Sequence, residues 1–101
     1  MGAQLEILVV GTHEKILATV LRLLNTNAEW TASGVTTAAG ALQKCREKEY
    51  QVFLLGAGLT DEEEQLLSEE LALNYPAMHI IQHYGGGSGL LFAEIYLALA
   101  K

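Results

Sequence analysis

Four short apolar runs, each followed by a stretch of helical length, constrain this chain more than any other feature. The runs are Leu5–Val10 (LEILVV), Trp30–Val35 (WTASGV), Gln51–Leu55 (QVFLL) and His79–Tyr84 (HIIQHY). Leu5–Val10 and Gln51–Leu55 read as buried strands, Trp30–Val35 as a weaker strand and His79–Tyr84 as the fourth. Between them the apolar period changes to that of a helix, with Ile16, Leu17, Val20, Leu21 and Leu24 on one stripe and Ala41, Leu42 and Cys45 on another. An alternation of strand and helix demands right-handed crossovers, hence a parallel sheet with helices on both faces. The expectation is a three-layer α/β domain of four strand–helix units, (βα)4, with residues 1–101 forming a single domain.

The punctuation agrees with that order. Gly11-Thr12 closes the first run, Asn25-Thr26-Asn27 ends the first helix, and Thr36 or Thr37 is placed to cap the second. Gly56-Ala57-Gly58 closes the third run, and Thr60 with Glu63 forms a capping box in front of a third helix. Asp61, Glu62, Glu63 and Glu64 crowd that helix's first turn, where the helix dipole favours negative charge. With Glu69 and Glu70 they make an acidic face, read either as a solvated surface or as the docking face for a basic partner.

Charge and composition narrow the function classes. The net charge is −6 and no cluster of Lys or Arg occurs, so the sequence lacks the basic footprint of a nucleic-acid binder. Cys45 is the single cysteine, which rules out an internal disulfide. No apolar run is long enough to span a bilayer and the N-terminus lacks a basic signal-peptide region, so the expected setting is cytoplasmic, off the membrane.

The sharpest local feature is Gly85–Gly89 (GGGSG), between the fourth run and a last apolar segment, LLFAEIYLALA. A strand, a glycine loop and a helix start aim several N–H groups at one point and can hold an anion. Gly85, Gly86, Gly87, Ser88 and Gly89 are therefore candidate anion-binding residues, for a phosphate-like or nucleotide-like ligand. The structural alternative is a tight connection with Ser88 as helix cap. The loop lacks the Lys and Ser/Thr of a P-loop and the spacing of a dinucleotide fingerprint. His79 and His83 stand too far apart along one strand, about 13 Å, to share a metal. No nucleophile–base pair stands out, so neither catalytic residues, nor a metal, nor a cofactor is expected.

Residues Leu5 to Tyr84 resemble a response-regulator receiver domain, which implies a flavodoxin-like fold. The resemblance is carried by ILVV and its following loop, by TTAAGALQKCREKEYQVFLLG, and by the acidic helix with Pro76 before the fourth run. The chemistry that the resemblance implies is missing. Gly11 and Thr12 stand where the family has its acidic pair, Gly56 stands at the phosphoacceptor position, and Tyr84 lies nearest the switch Ser/Thr. Without those carboxylates there is neither an oxygen-rich Mg²⁺ site nor an aspartyl nucleophile. The chain then passes from the glycine loop to a segment similar to the family's last helix, so a fifth receiver strand is expected to be absent.

Loss of that strand would leave the fourth one at an edge with unpaired backbone groups and neither Pro nor Lys to protect it. The last segment is apolar nearly all round, so more than one of its faces calls for burial. His79, Ile81, His83, Leu90, Phe92 and Leu97 are accordingly the candidate dimer interface. The functional expectation is a pseudo-receiver acting by protein association, as a homodimer or with another signalling protein.

Overall fold

The computed structural model describes residues 5–56, 58–82 and 95. It contains β1 (Leu5–Val10), α1 (Glu14–Leu24), β2 (Trp30–Val35), α2 (Ala38–Glu47), β3 (Val52–Leu55), α3 (Asp61–Asn74) and β4 (His79–Gln82). The strands form one parallel sheet in the order β2-β1-β3-β4. This is the expected α/β architecture: the steps through α1 and α3 each reach a parallel neighbour, and the step through α2 passes over β1 to place β3 on its other side.

Period two within the strands divides the core into two layers. Leu8 and Val10 of β1 and Phe53 and Leu55 of β3 point to one face, where they pack with Ala41 and Cys45 of α2 and Leu67 and Leu71 of α3. Ile7 and Val9 of β1 and Val52 and Leu54 of β3 point to the other, packing with Leu17 and Leu24 of α1 and with Ile95. Ile95 is helical and fully buried, so the last apolar segment places a residue on the α1 side of the sheet. The four residues of β3 are all buried, as a central strand covered from both sides requires.

Local chemistry sets the element ends. His13 caps α1, its Nδ1 accepting from the Ile16 N–H at 3.4 Å, and Thr37, not Thr36, caps α2 by accepting from the Gly40 N–H at 3.0 Å. Thr60 and Glu63 form both bonds of the expected box: Glu63 N–H donates to Thr60 Oγ1 at 3.1 Å, and Thr60 N–H to Glu63 Oε1 at 3.0 Å. Asn25 ties the end of α1 to β2, its Nδ2 donating to the carbonyls of Leu21 and Ala32 while its Oδ1 accepts from the Ala32 N–H.

Gln51 lies just before β3 instead of opening it. It exchanges backbone and side-chain bonds with Glu6, and its carbonyl accepts from the His79 N–H at 2.9 Å, so one residue stitches β1, β3 and β4 together at their starts.

Candidate functional site at the carboxyl edge of the sheet

In an open parallel sheet, ligands and chemistry gather beyond the carboxyl ends of the strands. Here that edge carries the loop after β1 (Gly11, Thr12, His13) and the loop after β3 (Gly56, Gly58 and Leu59 among its described residues). Each loop is tied by backbone to the end of a neighbouring strand. Gly56 N–H donates to the Val10 carbonyl at 2.7 Å, and Gly11 N–H donates to the Val35 carbonyl at 3.0 Å. A Cβ built on Gly56 would lie 2.6 Å from that same Val10 oxygen, closer than any real side chain stands to a backbone atom.

Thr12 closes the other side. Gly58 has φ of 104°, a conformation that favours glycine, and a Cβ there would overlap Thr12 Oγ1. The threonine hydroxyl therefore fills the space beside Gly58. The structure thus brings Gly11, Thr12 and Gly56 together on one loop cluster. That cluster offers no carboxylate of its own at any of the three positions.

Nearby polar groups are committed to helix ends. His13 uses one ring nitrogen as the α1 cap, and Asp61 begins α3 as an exposed first-turn residue. Among the described residues no three His, Cys, Asp or Glu side chains come together as a metal site. Cys45 is buried between α2 and the sheet, and that burial pushes its thiol pKa up, the opposite of the shift that activates a cysteine.

Of the candidate interface residues, His79 and Ile81 are described. Both are half-buried, and Ile81 packs against the core layer that contains Leu54 and Ile95. Tyr84, Gly85, Gly86, Gly87, Ser88 and Gly89, together with His83, Leu90, Phe92 and Leu97, lie outside the described residues. Among the described residues β4 pairs with β3 alone. The His79 N–H points toward β3, so the Ile80 N–H points to the outer edge.

Two features were not singled out from the sequence. One is an ion pair of Lys48 Nζ with Glu6 Oε1 at 2.9 Å, at the opposite edge of the sheet. The other is a cleft of about 340 Å³ between α2 and α3, lined by Leu42, Arg46, Glu70, Asn74 and Tyr75. Each joins segments far apart in the chain, so no local spacing announces it. The cleft lies toward the helix C-termini, away from the loop cluster.

No family profile matches the sequence, and no curated relative does. Solved structures do match. The signal receiver domain of an HD domain-containing protein from Pseudomonas fluorescens Pf-5 aligns with a TM-score of 0.74 at 26% identity, covering 93% of this chain and 68% of that one. The BeF3-activated DrrB receiver domain aligns with a TM-score of 0.81 at 16% identity, covering 97% of this chain and 99% of that one. A two-component response regulator from Clostridium difficile aligns with a TM-score of 0.77 at 13% identity, covering 97% and 98% respectively.

The fold is therefore a flavodoxin-like three-layer α/β sandwich. Within that class the chain is a receiver-like domain, similar to those of signalling proteins. No described helix is long and apolar enough to cross a membrane.

Proposed function

We propose that this chain is a pseudo-receiver: a regulatory protein-interaction module that takes no phosphoryl group and works by association, as a homodimer or with another signalling protein. The observation that carries this reading is the backbone contact at the phosphoacceptor position. Gly56 not only lacks a carboxylate; its backbone sits against the Val10 carbonyl where a side chain would have to begin. With Gly11 and Thr12 in place of an acidic pair, the cluster has no ligand set for Mg²⁺ and no nucleophile for a phosphoryl donor.

Association through the outer edge of β4 is the second half of the reading. It is supported by the absence of a second strand partner for β4 among the described residues, and by the lack of Pro and Lys in this strand. Two-fold dimers are the commonest homo-oligomers.

The test has two readouts on the full chain. Incubation with acetyl phosphate or beryllofluoride and Mg²⁺ is expected to leave mass and thermal stability unchanged; a covalent adduct or a rise in Tm would overturn the first half. Light-scattering mass is expected near twice that of one chain, with the Ile80 amide becoming protected from hydrogen exchange as concentration rises. A monomer, or a dimer whose Ile80 amide exchanges as freely as in dilute solution, would overturn the second half.

A further inference from the structure

Two helices on opposite faces of the sheet carry matching outward stripes. On α3, Leu66 and Leu73 are 52% and 80% exposed, unusual values for leucines on a helix that also buries Leu67 and Leu71. They stand seven positions apart, about 10 Å along the axis, so they share one stripe. Glu62 and Glu69 are exposed and flank that stripe, and α3 contains no Lys or Arg.

On α1, Ile16 is 55% exposed and Leu23, again seven positions on, is half-buried. The exposed Lys15 and Arg22 flank this pair on the same rotational side that Glu62 and Glu69 occupy on α3. Flanks on the same rotational side meet when two helices pack antiparallel. Ile16 and Leu23 then fall on Leu73 and Leu66, and Arg22 comes nearest Glu69.

We propose that a second copy of this chain is the occupant of the α3 face, docked through its α1. The argument is complementarity of charge and of apolar spacing between two surfaces of one sequence. Because α1 and α3 lie on opposite faces of the sheet, the contact is heterologous: each copy offers α3 to one neighbour and α1 to another. Such contacts continue into rings or open chains instead of stopping at a pair. The inference is independent of pairing through β4 and of the phosphoryl chemistry.

The contact is small, so it belongs to the weak class and needs high concentration. Sedimentation of the full chain at up to about 1 mM and low salt is expected to show species larger than two copies, shrinking as salt screens the flanks. Arg22→Glu and Glu69→Arg, both exposed, are expected to stay folded by circular dichroism and each to weaken this assembly at least about tenfold, since like charges then face each other.

Mixing the two variants should restore it, because each supplies the face that the other's reversal complements. A chain that never exceeds two copies overturns the proposal. So does assembly indifferent to either reversal, or a mixture no better than its parts. Leu73→Ser, with both charges intact, is expected to weaken assembly as well, and full retention would count against the stripe.

Discussion

The Gly56 amide donates to the Val10 carbonyl at 2.7 Å, and a Cβ on Gly56 would meet that same oxygen at 2.6 Å. The end of β3 thus presses against the end of β1 at the point where receiver chemistry would need a side chain. Putting the carboxylate back does not put the site back. Gly56→Asp forces the loop away from β1 and is expected to cost about 1–3 kcal/mol, as overpacking against an unyielding neighbour does. For a domain of this size that lowers Tm by at least about 4 °C. Calorimetry of Gly56→Asp with and without beryllofluoride and Mg²⁺ checks both parts. A variant as stable as the parent, or one stabilised by the phosphoryl analogue, would show that the position still holds a usable pocket.

Gly58 and Thr12 form a second close pair across the same loops. Gly58→Ala is expected to destabilise twice over, through its φ of 104° and through overlap with Thr12 Oγ1. Thr12→Gly removes the second cost but leaves the first. A double-mutant cycle should therefore return a coupling of at least about 0.5 kcal/mol, with the pair less damaged than the single effects add up to. Strict additivity would mean that Thr12 does not hold the space beside Gly58.

The capping box gives a prediction that involves no loop chemistry. Thr60→Ala removes the acceptor for the Glu63 N–H while leaving the backbone N–H of residue 60 that donates to the Glu63 carboxylate. The expected loss is about 1 kcal/mol in urea unfolding, at unchanged m-value. Thr60→Ser keeps the hydroxyl and should recover most of it. Equal losses for Ala and Ser would assign the effect to packing of the methyl group instead.

What was legible in the sequence divides along a physical line. The strands and the cap at Thr60 could be read because each is encoded within a few neighbouring residues, LEILVV and VFLL as doubly buried runs and Thr60 and Glu63 three apart, and the alternation of strand and helix made the sheet parallel. The absence of carboxylates at Gly11, Thr12 and Gly56 was legible for the same reason. That the Val10 carbonyl sits where a Gly56 side chain would start could not be read, because it depends on how closely two strand ends approach across the sheet. The same holds for Glu6 and Lys48, and for the cleft between Leu42 and Tyr75: each needs a third dimension before the partners meet. The two α3 leucines were visible as letters, but which faced water depended on where the sheet lay.

Alkaline pH tests the packing beneath α2. Burial raises the Cys45 pKa above its ordinary 9.0 and is the largest cause raising Tyr50 above its ordinary 10.0. The hydrogen bond to Glu6, ahead of the other causes, raises Lys48 above 10.5. All three shifts have one sign: the folded chain holds these protons more tightly than the unfolded chain does. The stabilisation is complete below about pH 9, and above that the unfolded state binds fewer protons, so stability falls as pH rises. Cys45 sets the onset and Tyr50 and Lys48 steepen the fall beyond it. Urea midpoints should stay level between pH 8 and about 9 and decline from there to pH 11. Cys45→Ala should be less stable overall yet lose less between pH 9 and 10, because its earliest proton is gone. A parent chain with flat or rising stability over that range, or a Cys45→Ala profile parallel to the parent's, would rule out the buried thiol as the first group to give way.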